Sequence, residues 1–122
     1  MTDDRGLFEH ALLDAPRAEF GYCVDDVARA LLVTAREPQP GPRVEEMTET
    51  YLAFVEAAIA RDGRVRNRMN TAGVWTDVPA TGDWWGRALW ALGVAAVRAE
   101  RPATRARALK AFERAARQES HD

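Results

Sequence analysis

Two short stretches of this chain bring carboxylates and aromatic rings close together in sequence. The first is Gly21-Tyr22-Cys23-Val24-Asp25-Asp26, in which an aromatic residue precedes two adjacent acids. Carboxylates so placed can hold hydroxyl groups or act as general acid and base. Asp is also a preferred helix N-cap and suits the positive end of a helix dipole. Asp25 and Asp26, with Asp83 further along, are therefore candidate catalytic carboxylates, and helix capping is the competing reading. The second stretch is Asp83-Trp84-Trp85-Gly86-Arg87. Broad aromatic faces can stack on the C–H faces of a sugar ring, although core packing is the ordinary use of tryptophan. Tyr22, Trp84 and Trp85 are accordingly candidate substrate-binding residues. Trp90, inside the apolar run that follows, is assigned to the core.

Arg29 and Arg87 each sit about one turn into an apolar segment, where an unpaired charge is costly. Helical spacing predicts that Arg29 pairs with Asp25 or Asp26 and that Arg87 pairs with Asp83. Arg87 is also a candidate ligand-binding residue. His10 can transfer protons or hold a hydroxyl, and is a further substrate-binding candidate; the other histidine, His121, is not at ligand spacing from it, so no metal site is expected. Arg64, Arg66 and Arg68 alternate in a way that suits either an anion or a solvated strand face. No nucleophile elbow, phosphate-cradling glycine loop or dinucleotide fingerprint is present.

The elements that must position these residues follow from composition and spacing. The chain has 122 residues, 47% hydrophobic and 30% charged, which suits one globular domain. Seventeen basic residues against nineteen acidic ones leave a net charge of −2, without the basic excess of a nucleic-acid binder. The single cysteine, Cys23, allows no intrachain disulfide and no cysteine-based metal cluster. The charged start leads into no apolar signal segment, and no stretch is long and apolar enough to span a bilayer. A cytoplasmic location without a membrane partner is the expectation.

Helix signals fall in four places: about 25–36, 43–61, 83–100 and 103–118. The first is stopped by Glu37-Pro38-Gln39-Pro40-Gly41-Pro42, since proline lacks an N–H and biases its predecessor away from helix. In the second, Val44, Met47, Tyr51, Phe54, Val55, Ala58 and Ile59 recur at steps of three and four, marking one buried face. The four helices repeat as two pairs. A shift of 58 residues lays Asp25, Arg29, Ala30 and Leu31 on Asp83, Arg87, Ala88 and Leu89, and Ala53, Phe54, Ala57 and Ala58 on Ala111, Phe112, Ala115 and Ala116. The first helix of each pair is apolar nearly all round, so it must be covered on most sides; the second has one charged face and lies outside.

The predicted fold class is therefore all-α. It comprises two consecutive α/α hairpins of inner and outer helices, a partial α/α toroid, in one domain over 1–122 with repeats of about 3–61 and 62–118. A plain four-helix bundle is the alternative. Long loops, each with a candidate short β-hairpin, precede the inner helices and meet at one mouth of the ring.

Gly6-Leu7-Phe8-Glu9-His10-Ala11, Pro16-Arg17, Gly21-Tyr22-Cys23-Val24-Asp25-Asp26-Val27-Ala28-Arg29-Ala30-Leu31, Tyr51-Leu52-Ala53-Phe54, Asn67-Arg68-Met69 and Gly86-Arg87-Ala88-Leu89-Trp90-Ala91-Leu92-Gly93 together resemble a bacterial domain of the six-hairpin glycosidase-like class. Such α/α-toroid domains often accompany glycosyltransferases. The resemblance runs from residue 3 to about 97. It implies a carbohydrate-associated domain or fragment, with a saccharide as partner and no cofactor. A glycosidase needs two carboxyl groups, about 5–5.5 Å apart for retention or about 6.5–9.5 Å for inversion. Six hairpins need roughly three times this length. The chain is then expected to be a fragment, a degenerate gene product, or a subunit that covers its open edge by forming a homo-oligomer. A non-catalytic helical binding module is the alternative function.

Overall fold

The computed structural model describes residues 21–118, and it is all-α apart from one two-stranded ribbon. The elements are β1 (Tyr22–Cys23), α1 (Val24–Ala35), α2 (Pro42–Ala58), β2 (Arg68–Met69), α3 (Asp83–Arg98) and α4 (Pro102–Ala116). Proline stands at the start of both α2 and α4, where its missing N–H costs nothing. The second helix ends three residues short of Arg61. Its C-cap, Ile59, is extended and bridges Val65, while Ala60 donates to the Arg64 carbonyl and Arg66 to that of Ala58. The turn between them needs Gly63, whose φ is +94° and where a Cβ would lie 2.6 Å from the Arg114 carbonyl oxygen.

Packing follows a simple order. α1 lies against both α2 and α3, α3 lies against both α1 and α4, and α2 and α4 barely touch. Their common core holds Val24, Val27, Leu31, Leu52, Phe54, Val55 and Leu92, all essentially without exposure, with a seam of small residues at Ala28, Ala88, Ala91 and Ala95. Small side chains let helix axes approach closely, and fully burying each Leu, Val or Phe contributes about 1.5–3 kcal/mol. Where α2 and α4 face each other, the contact is ionic. Arg101 reaches Glu45 at 2.5 Å and Glu49 at 2.6 Å, and Arg107 reaches Glu56 at 2.5 Å.

The segment between α2 and α3 forms a small folded platform. Asn70 donates to the Val74 carbonyl and Thr76 to that of Arg68, so residues 68–76 turn back on themselves. β2 also pairs antiparallel with β1, with Tyr22 opposite Met69 and Cys23 opposite Arg68. The segments leading into α1 and α3 thus meet at one end of the molecule.

Candidate functional site

The start of α1 is fastened from a distance. An α-helix leaves its first N–H groups without partners. Here the Val24 N–H donates to the Asn67 carbonyl at 2.8 Å and the Asp25 N–H to Asn67 Oδ1 at 3.3 Å. Asn67 is held in turn by Asp77, whose carboxylate accepts the N–H groups of Asn67 at 2.7 Å and Arg68 at 3.0 Å. The N-cap of α1 is Cys23 and that of α3 is Gly82, neither with a side-chain cap bond. The capping reading of Asp25 and Asp83 is therefore corrected: both carboxylates lie in the first turn, free for other partners.

Asp25 meets Arg87 of the neighbouring helix as an ion pair, and Arg29 stands 3.8 Å away on its own helix. The Asp25 Oδ1 and Arg87 Nε atoms at this contact are shielded from solvent. The expected Arg87–Asp83 pair gives way to this one, because α1 and α3 lie side by side with their N-terminal ends together. Among the described residues Asp83 has no ion-pair partner, and it is exposed. Asp26 lies beside the buried thiol of Cys23. Burial pushes that thiol above its ordinary value of 9.0; the Asp26 carboxylate adds to the rise, while the Asp26 backbone and Arg68 oppose it.

The aromatic residues divide by where their polar ends point. Trp84 Nε1 donates to the Val65 carbonyl at 2.7 Å, bolting α3 to the platform, and Trp85 Nε1 donates to the Ala115 carbonyl at 3.1 Å, bolting it to α4. Both are half-buried. Tyr22 sits edge-on to Phe54, which also contacts the Trp75 ring. Trp90 is the correction here: assigned to the core, it is 58% exposed. Its indole lies on the side of α3 that has no neighbouring helix. His10 lies outside the described residues.

The result is an open depression at the N-terminal end of α3, lined by Thr81, Gly82, Asp83, Trp85, Gly86, Arg87 and Trp90. It offers one free carboxylate, one guanidinium and two indoles. Asp25 and Asp26 are not part of its lining; they sit across the α1–α3 seam. Sequence reasoning missed Asn67 and Asp77, although their types carried a signal, since Asn and Asp in loops commonly accept backbone N–H groups. Among the described residues no three His, Cys, Asp or Glu side chains are grouped to hold a metal ion, and no helix is long and apolar enough to cross a membrane.

No family model matches the chain, and no curated protein or solved structure matches it.

Proposed function

We propose that this chain is a two-hairpin segment of an α/α toroid that binds a saccharide at the mouth formed by its inner helices. It acts as a carbohydrate-binding part of a larger assembly and does not hydrolyse on its own. The observation that carries this reading is the open depression at the start of α3, where Asp83 and Arg87 stand beside Trp85 and Trp90. Carboxylate and guanidinium groups hydrogen-bond to hydroxyls, and an indole presents an apolar face to the sugar ring. Hydrolysis needs two carboxyl groups across the bond, and the depression supplies one. The toroid reading draws support from helix placement: α1 and α3 pack side by side while α2 and α4 barely touch, whereas the first and third helices of an up-and-down four-helix bundle lie diagonally across its core.

Titrating the intrinsic tryptophan fluorescence with a panel of oligosaccharides tests the proposal. A saturable change for at least one of them, lost in Asp83→Ala, is the expected result. No change with any of them, at concentrations into the millimolar range typical of weak sugar sites, overturns it.

A second reading, a helical interaction module, is favoured by the apolar side chains left open along the inner helices. Val33 is 72% exposed and Val97 74%.

A further inference from the structure

We propose that the open face of α3 is a docking surface for a second copy of this chain, which lays the open side of its own α1 along it. The inference deepens the reading of the chain as a two-hairpin segment and rests on it. Its template is the seam already present between α1 and α3.

On α1, that seam follows the stripe of Asp25, Ala28 and Leu32, spaced at three and four residues. Ala28 and Leu32 are buried there, and Asp25 is paired with Arg87. On α3 the facing stripe runs through Arg87 and Ala91, with Ala91 fully buried. Moving each stripe by the repeat of 58 residues converts one helix's stripe into the other's positions. Asp25, Ala28 and Leu32 become Asp83, Gly86 and Trp90; Arg87 and Ala91 become Arg29 and Val33. All five of these shifted positions are exposed. The chain therefore carries both halves of its internal seam a second time, about a quarter-turn around each helix from the seam itself, where they stay exposed and do not meet within one copy.

Charge and shape agree with that pairing. The shifted counterpart of the Asp25–Arg87 ion pair is Asp83 of one copy with Arg29 of the next. Asp83 has no ion-pair partner among the described residues, and the side chain of Arg29 is 60% exposed. A Cβ at Gly86 would meet nothing within 4 Å, which leaves the room a neighbouring helix needs beside the bulky Trp90. Burying Trp90 and Val33 together supplies the apolar centre of such a contact, with the ion pair at its rim. The two surfaces differ, so the contact is head-to-tail, and successive copies close a ring or continue as a filament. The incoming α1 takes up Asp83 and covers Trp90 in the depression at the start of α3, so a second copy and a saccharide compete for those two side chains.

Sedimentation velocity on the full chain over a wide concentration range tests the proposal. The native chain should pass from monomer to larger species as concentration rises. Asp83→Arg and Arg29→Asp should each weaken association by about tenfold or more, since each puts like charges face to face. An equimolar mixture of these two variants should associate again: each keeps the surface the other needs, and the two altered surfaces also complement each other. Trp90→Ser should weaken association to a similar degree, and circular-dichroism melts should show all three variants folded. A native chain that stays monomeric throughout overturns the proposal and leaves the face to a different occupant. Association that the charge variants leave unchanged, or that mixing does not restore, also overturns it, by marking a symmetric contact. The saccharide titration fails separately: assembly without sugar binding removes that reading alone, and sugar binding by a strict monomer removes this one alone.

Discussion

At an offset of 58 residues α1 and α3 share an Asp, an Arg, an Ala and a Leu, yet they differ in which positions are exposed. Leu32 of α1 is 7% exposed, while Trp90, its counterpart 58 residues on, stands out in solvent. In reverse, Ala88 and Ala91 of α3 are buried, while Ala30 is half-buried and Val33 exposed on α1. Each helix covers the side that faces the other and leaves bare a stripe about a quarter-turn away. Composition around a helix thus states how much surface wants covering. Which part is covered depends on the neighbours the helix has.

The largest expected effect sharpens this contrast at one pair of positions. Leu31→Ala should destabilise the fold by about 3 kcal/mol, through lost burial and the cavity left behind. Leu89→Ala, at the matching but half-buried position, should cost about 1 kcal/mol; urea denaturation of both variants measures the difference. Equal losses would break the comparison. Next come the acids. Asp25→Ala leaves the shielded Nε of Arg87 without its carboxylate and should cost about 2 kcal/mol. Asp83→Ala should stay within about 0.5 kcal/mol by the same measurement, as surface changes commonly do.

The tryptophans follow. Trp84→Phe removes the bond to the Val65 carbonyl and should lower stability by about 1 kcal/mol. Trp90→Phe, with no such bond, should shift the thermal midpoint by no more than a degree or two.

The smallest effect is a pH dependence. The folded chain holds the Cys23 proton more tightly than the unfolded chain does, because burial raises the thiol above 9.0. The resulting stabilisation is complete below the unfolded value and is lost as pH climbs from that value through the folded one. Cys23→Ala should therefore flatten the decline of stability above about pH 9, as followed by denaturation at successive pH values.

Much of the fold was legible because its signals are local. The proline run at 38–42 stops α1, and the spacing of Tyr51, Phe54, Val55 and Ala58 marks the buried face of α2. The end of α2 was not legible in the same way, since Ile59 continues the helical spacing yet joins the bridge to Val65. The site was legible in its residue types and not in their partners. Helical spacing pairs Arg87 with Asp83; the adjacent helix offers Asp25 instead. Trp84 and Trp85 read equally as sugar platforms or as core, and the carbonyls of Val65 and Ala115 that bind their indole N–H groups were not visible in either reading. Each of these partners lies at least nineteen residues away in sequence, beyond what any local pattern carries.

The fastening of α1 by Asn67 and Asp77 makes the start of that helix depend on a segment more than forty residues further along. A chain ending at α2 would offer the first N–H groups of α1 only water, because Asn67 lies beyond it and Asp77, which holds Asn67, further still. The partners of the first turn of α1 are thus supplied by the platform, so removing the platform would leave those N–H groups to water and loosen the start of the helix.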